Sequence, residues 1–208
     1  MRTMLLFPLV AFLPGMAVAQ SAEALSAADR TAHRHLGFLL RMDLGAAYMS
    51  NFASQEGLSA SLAGAGAAAG IVMGAAVSED WILGGDIWGV SAFSPTASAG
   101  GQSAASHQTL TLSGLGLNLT HYFMPDNFYI SFSPSLVLLY ATNQNEGLAG
   151  ETSPGFGARL LIGKEWWVSD HWGLGLAGEA FFGANKEKGG GPTWFSVGGG
   201  LVFSATYN

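Results

Sequence analysis

One short turn signature occurs three times along the chain, and it constrains the fold more than any other feature. Residues 77–81 read Val-Ser-Glu-Asp-Trp, residues 124–128 read Met-Pro-Asp-Asn-Phe, and residues 168–172 read Val-Ser-Asp-His-Trp. Each copy has an apolar residue, three mostly polar residues, and an aromatic residue that opens an alternating segment. The copies lie about 45 residues apart, which is the length of one up-and-down strand pair with its loop. Three such turns join the pairs of an eight-stranded antiparallel sheet.

The start of the chain has the features of a signal peptide. Arg2 precedes an almost wholly apolar segment, residues 4–16. The Ala-Val-Ala triplet at residues 17–19 then supplies the small residues that signal peptidase reads, so we expect cleavage before Gln20. Residues 1–19 are therefore predicted to be a signal peptide that is removed on export.

The next segment, residues 20–35, is rich in Ala, Ser and charge and has no clear apolar face. We interpret it as a flexible periplasmic leader. We expect four of its residues to lie near the membrane surface: Arg30, His33, Arg34 and His35. The remaining chain, residues 36–208, is long enough for one domain.

Composition restricts the class of that domain. Only 11% of the residues are charged and 30 of the 208 are glycine, whereas a soluble exported domain covers itself with charge. Beyond the signal peptide no apolar run reaches the length of a membrane helix. Together with period-two alternation, this composition is typical of a β-barrel whose outside faces lipid. Without Arg2, seven basic residues remain against 14 acidic ones, which gives no support to nucleic-acid binding.

The predicted strands alternate between an apolar outer face and an inner face that carries small and charged residues. The first, about 36–49, places Phe38, Leu44 and Tyr48 on one side and Arg41 and Asp43 on the other. The last four strands repeat this pattern clearly, and the second to fourth are less regular. Pro134 interrupts the fifth strand and is expected to cost a ladder hydrogen bond. The predicted fold is all-β: an eight-stranded antiparallel up-and-down transmembrane β-barrel.

The alternation assigns six ionisable residues to the lumen: Arg41, Asp43, Asp86, Arg159, Glu165 and Glu179. Arg159 and Glu179 lie on neighbouring predicted strands at similar distances from the third turn, so a diagonal pair is expected. Such charges could form an ion path, but an eight-stranded barrel is only wide enough for its own side chains. Because an unpaired buried charge is costly, we interpret the six as a salt-bridge network that plugs the lumen.

The connections predict one orientation. The turns at 78–80, 125–127 and 169–171 are short, whereas 50–59, 94–107, 141–153 and 184–193 are longer and polar, as in outer-membrane barrels. With the short turns on the inner side of the membrane, the outward-facing aromatic residues form two rows, one at each membrane interface. The inner row contains Trp81, Phe123, Phe128, Trp166, Trp172 and Tyr207, and the outer row contains Tyr48, Phe93, Tyr140, Phe156, Phe182 and Phe195.

The mature chain resembles the small outer-membrane barrels of Gram-negative bacteria, namely the OmpA-type transmembrane domain and OmpX-like proteins. Residues 114–123 (Gly-Leu-Gly-Leu-Asn-Leu-Thr-His-Tyr-Phe) and 163–167 (Gly-Lys-Glu-Trp-Trp) carry the likeness. The end of the chain, with Leu201, Phe203 and Tyr207 alternating, also resembles the signal read by the barrel-insertion machinery, although Asn208 follows. The resemblance implies a bacterial outer-membrane location. We also expect contact with lipid and lipopolysaccharide, and a monomer.

Enzymatic and metal-dependent readings have little support. No histidine stands beside a serine within a predicted strand, and His107, next to Ser106, has no carboxylate nearby in sequence. The His33-Arg34-His35 segment lacks a third metal ligand. We therefore predict no catalytic residue, no metal site and no cofactor.

The favoured function is non-enzymatic: the barrel stabilises the outer membrane or presents its outer loops to a surface partner. The alternative is a narrow channel, or passage of small apolar molecules or ions as in OmpW-like barrels. A soluble lipocalin-like barrel is a third possibility, and it requires an apolar lumen and a polar exterior.

Overall fold

A computed structural model describes residues 35–55, 58–143 and 147–208. The predicted signal peptide and all of the predicted leader except His35 lie outside the described residues. The described chain forms eleven β-strands. They are β1 (Phe38–Gln55), β2 (Leu58–Ala76), β3 (Trp81–Phe93), β4 (Thr96–Ala99), β5 (Gln102–Ala105), β6 (Gln108–Phe123), β7 (Phe128–Asn143), β8 (Gly147–Glu151), β9 (Gly155–Trp167), β10 (Trp172–Lys186) and β11 (Thr193–Tyr207). Among these residues no helix has the length and apolar character needed to cross a membrane.

Eight of the strands close into an antiparallel barrel. The order is β1, β2, β3, β6, β7, β9, β10 and β11, and β1 pairs with β11 from Leu40–Tyr207 to Phe52–Phe195 to complete the wall. The predicted eight-stranded antiparallel fold is confirmed. The other three strands extend the wall at one end: β4 pairs with β2 and β5, and β8 pairs with β7.

Two of the three repeated turns, the first and the third, have the same hydrogen-bond geometry. In the first, the amides of Val77 and Ser78 donate to the carbonyl of Trp81 at 2.9 and 3.4 Å. In the third, Val168 and Ser169 donate to Trp172 at 2.8 and 3.3 Å. The first and third turns thus share one hydrogen-bond pattern. We call the end of the barrel with the three short turns the turn end, and the opposite end the loop end.

The predicted long loops are partly wrong. Segment 50–59 is mostly strand, since β1 continues to Gln55 and β2 begins at Leu58. Segment 94–107 contains the β4–β5 hairpin, and 141–153 contains the end of β7 and all of β8. Segment 184–193 shortens to residues 187–192 between β10 and β11. Ser-, Ala- and Gly-rich residues here lack apolar alternation, but their backbones continue the ladder beyond the apolar band.

Side-chain exposure follows the predicted alternation. On β6, Leu117 is 70% exposed and faces outward, whereas Leu112 is fully buried inside. On β11, Leu201 and Phe203 are exposed while Val202 and Ser204 are buried. An apolar belt therefore surrounds a lumen that contains the charges.

Pro134 has the predicted effect on the wall. Pairing between β6 and β7 is interrupted between Gly116–Ser135 and Leu119–Phe132. The Asn118 side chain lies at this interruption and donates to the hydroxyls of Ser131 and Ser133 at 2.7 and 2.9 Å. Side-chain hydrogen bonds thus link the two strands where the backbone ladder does not.

Candidate functional site

The structure places all six predicted lumen residues inside the barrel. Arg41, Asp86, Arg159 and Glu165 are at most 2% exposed, and Asp43 and Glu179 are 5% and 6% exposed. Their formal charges are two positive and four negative. They divide into a central cluster around Arg159 and a lower cluster, nearer the turn end, around Arg41 and Glu165.

The central cluster joins one guanidinium to three carboxylates. Arg159 Nε donates to Glu179 Oε1 at 2.7 Å, on the neighbouring strand. Its two terminal nitrogens reach across the lumen to the carboxylate of Asp43 on β1, and Nη1 lies 3.6 Å from Asp86 Oδ1. Ser133 Oγ donates to Asp86 Oδ2 at 2.7 Å. The predicted Arg159–Glu179 pair is present, and the same arginine connects β1, β3, β9 and β10.

The lower cluster separates its two charged groups. Arg41 donates to Ser131 Oγ at 2.7 Å, and its guanidinium carbon lies 4.6 Å from the centre of the Tyr129 ring. Glu165 accepts from Thr206 Oγ1 at 2.6 Å and from Tyr122 OH at 3.3 Å. Hydroxyl groups and an aromatic face therefore contact these buried charges.

Two glycines make room for the large lumen side chains. A Cβ on Gly70 would lie 2.2 Å from Arg159 Nη1, and a Cβ on Gly114 would lie 2.4 Å from the Trp88 ring. At both positions any side chain would displace a group that is already fixed. The need for space inside a narrow barrel thus explains these glycines.

An apolar layer covers the central cluster on the loop-end side. This layer was not predicted from the sequence. Trp88 donates to Ser135 Oγ at 3.0 Å, and its ring centre lies 6.2 Å from that of Phe181. The layer is buried and continuous in one apolar cluster with Met49, Val90, Leu112, Val137 and Leu139. The sequence does contain a pattern that could have predicted this layer: toward the loop end, β7 and β10 become apolar on both faces, as in residues 137–140.

The turn end is closed by His35, whose burial inside the barrel was not predicted. His35 is fully buried, and its ring stacks on Tyr122 with a centre separation of 3.6 Å. Nε2 lies 2.8 Å from Asn127 Oδ1, and Nδ1 accepts from the Asn208 side chain. Burial lowers the pKa of His35 below 6.5, and the Asn127 hydrogen bond opposes this shift. The residue faces inward because amides and an aromatic ring there satisfy a neutral imidazole.

The predicted membrane-interface aromatics lie on the outside of the barrel. Eleven of the twelve are exposed, and Tyr140 is half-buried. Lys164 also faces out, as predicted, with Nζ 4.7 Å from the centre of the Phe128 ring. The Lys164 ammonium therefore has an aromatic partner in the inner row of interface residues.

In the described chain, the hydrogen bonds of His35 and His171 are made with asparagine residues. His35 contacts Asn127 and Asn208, and His171 Nδ1 lies 3.0 Å from the Asn208 carbonyl. His121 packs on the exterior against Trp81 and Phe123. Across residues 35–55, 58–143 and 147–208, no group of three His, Asp or Glu side chains is arranged to hold a metal ion.

Comparison with solved structures finds small outer-membrane proteins. OprG from Pseudomonas aeruginosa is 14% identical with a TM-score of 0.47, covering 85% of this chain and 99% of OprG. AlkL in DMPC bilayers is 13% identical with a TM-score of 0.46, covering 91% of this chain and 96% of AlkL. Ail from Yersinia pestis, solved with a heparin analogue, is 8% identical with a TM-score of 0.39, covering 81% and 99%. No protein-family model matches the sequence, and no curated protein matches it significantly. At these identities the similarity assigns no function to this chain.

Proposed function

We propose that this chain is a non-enzymatic outer-membrane barrel with a closed lumen, which acts as a structural membrane protein and through the surface formed at its loop end. The observation that carries the proposal is the burial of two arginines and four carboxylates between two seals. His35 and Tyr122 close the turn end, and Trp88 and Phe181 cover the central cluster on the other side.

The exterior supports insertion into a membrane. Exposed leucine and phenylalanine side chains form the belt, as at Leu44 and Leu201, and the charges of the eight barrel strands lie inside apart from Lys164 and Lys186 near the strand ends. A surface of this kind is stable against hydrocarbon and unfavourable against water. Short turns face the periplasm in outer-membrane barrels, so the loop end faces outward. We further propose that the protein is monomeric, contacts lipid and lipopolysaccharide through the belt, and is assembled by the barrel-insertion machinery.

The closed lumen opposes the channel alternative. An ion that enters from the loop end meets the apolar layer of Leu112, Val137 and Phe181 before it reaches the central cluster. Beyond that layer, Arg159 occupies the centre through contacts with three carboxylates. Conduction would require both layers to move.

The test is a conductance measurement on protein shown to be inserted. Membrane fractionation and a gel-mobility shift on heating identify the folded, inserted barrel. We expect planar bilayers that contain this species to show no steady conductance above the background of the bilayer alone. Large, stable channel openings would contradict the closed lumen, and a species without the heat shift would contradict insertion.

A further inference from the structure

The loop end contains a preformed apolar cavity that the closed lumen leaves unused. Its volume is about 250 Å³, and its apolar lining includes Leu62, Leu110, Leu139, Ala141 and Trp194. Leu110 and Leu139 are 6% and 4% exposed and belong to the buried apolar cluster. The cavity therefore has an apolar floor formed by the barrel wall.

The rim of the cavity is tied to that wall. Thr152 accepts from the Leu139 amide at 3.2 Å, and its own amide donates to the Leu139 carbonyl at 2.9 Å. Thr152 also forms a β-bridge with Glu187, which connects the β7–β9 segment to the end of β10. These bonds keep the cavity open without a ligand, which reduces the ordering cost of binding.

The rim carries an excess of negative charge. Glu151, Glu187 and Lys188 line the cavity, so two carboxylates face one ammonium. Glu187 accepts from Trp194 Nε1 at 3.2 Å, and Glu151 accepts from Lys188 Nζ at 2.6 Å. The Lys188 side chain is 56% exposed, and an exposed ion pair of this kind contributes little. A ligand ammonium can therefore replace Lys188 beside Glu151 at low cost.

We propose that this cavity binds small molecules that combine an apolar, ring-sized body with a cationic amine. The body packs on Leu110, Leu139 and Trp194, and the amine lies at the Glu151–Glu187 rim. An anionic head group is rejected by the same two carboxylates. The ligand binds without passing through the barrel, because Leu112 and Val137 pack beneath the floor.

This proposal rests on the proposed function, in which the loop end faces outward and solutes can reach the cavity. The test uses methyl NMR of leucine-labelled full-length protein in lipid nanodiscs at pH 7. The probes are 2-(1-naphthyl)ethylamine and 1-naphthylacetate, which share an apolar body and differ in charge. We expect saturable shifts of the Leu110 and Leu139 methyl groups with the amine, and about tenfold weaker binding of the carboxylate. The lipid-facing methyl groups of Leu44 and Leu201 report partitioning into the bilayer.

Matched variants identify the site. Ala141→Phe fills the cavity and is expected to abolish the shifts, whereas Ala149→Phe, on the exposed β8 strand outside the lining, is expected to retain them. Glu151→Gln with Glu187→Gln is expected to remove the preference for the amine. Folding of each variant is checked by the heat-dependent gel shift.

Three results would overturn the proposal: shifts confined to Leu44 and Leu201, equal binding of both probes, or saturable binding that survives Ala141→Phe. None of these bears on conductance. Channel openings in planar bilayers would refute the closed lumen while leaving the nanodisc result intact, so the two proposals fail separately.

Discussion

Replacing Arg159 by methionine tests whether the central cluster holds the lumen together. Methionine retains much of the side-chain volume but removes the guanidinium, which leaves Asp43, Asp86 and Glu179 without their shared cation. All three carboxylates are buried, so water cannot replace the lost partner. The variant is expected to be strongly destabilised without becoming a channel.

The magnitude follows from burial. Removing one partner of a buried ion pair costs about 3–5 kcal/mol, and 4 kcal/mol is nearly a thousandfold in the unfolding equilibrium, at about 1.4 kcal/mol per factor of ten. The exposed Lys188–Glu151 pair is the matched control. Lys188→Ala is expected to cost about 0.2–1 kcal/mol, because water solvates the remaining carboxylate.

Guanidinium chloride unfolding in phospholipid vesicles, followed by tryptophan fluorescence and the heat-dependent gel shift, measures both variants. A third variant combines Arg159→Met with Asp43→Asn, Asp86→Asn and Glu179→Gln. It is expected to recover most of the stability, since no unpaired charge remains. Equal losses in Arg159→Met and Lys188→Ala would refute the reasoning, and so would a neutralised variant as unstable as Arg159→Met.

Three further predictions concern space, protonation and lipid contact. Gly70→Ala is expected to cost about 1–3 kcal/mol by displacing the central guanidinium, whereas Gly178→Ala, whose Cβ meets nothing closer than 3.9 Å, is expected to be neutral in the same unfolding assay. Burial lowers the pKa of His35, so the unfolded state takes up the proton first and stability should fall as pH drops below about 6.5. The unfolding midpoints of the native chain and of His35→Gln are measured from pH 7 to 5, and the midpoint of the variant is expected to fall less. Leu44→Lys is expected to cost about 2–4 kcal/mol and reduce insertion, while Leu148→Lys, similarly exposed but on the loop-end strand β8, should do neither. If Leu44→Lys also had no effect, Leu44 would face water.

The barrel could be predicted from the sequence because two independent patterns agree. The recurring turns set the strand number, and the alternation around Arg41 or Ser133 sets the direction of each side chain. A shift by one residue would move every lumen charge into lipid, so the pattern excludes odd shifts of the register. Strand bounds at the turn end agree closely for this reason, as at Trp81 and Phe128.

The loop end was harder to predict because its constraints are weaker. Outside the membrane the wall faces water, so Ser, Thr and Ala continue the strands with no apolar alternation to mark them. Inside, the assumption of a polar lumen concealed the layer formed by Leu112, Val137 and Phe181. The burial of His35 was not predicted because its partners, Asn127 and Asn208, lie 92 and 173 residues away in sequence.

The division of the lumen into charged and apolar layers explains how a narrow barrel both selects one strand register and is stable. Apolar packing at Leu112 and Val137 contributes stability in any register that buries these residues. Arg159 is paired only in the strand register that brings Asp43, Asp86 and Glu179 together. Every other register leaves a charge unpaired or in lipid. The cluster therefore contributes more to the choice of register than to net stability. The neutralised variant separates the two effects: its unfolding midpoint should approach that of the native chain while its refolded population, resolved by gel mobility, becomes heterogeneous. A single refolded species would assign the choice of register to the turns and the apolar belt alone.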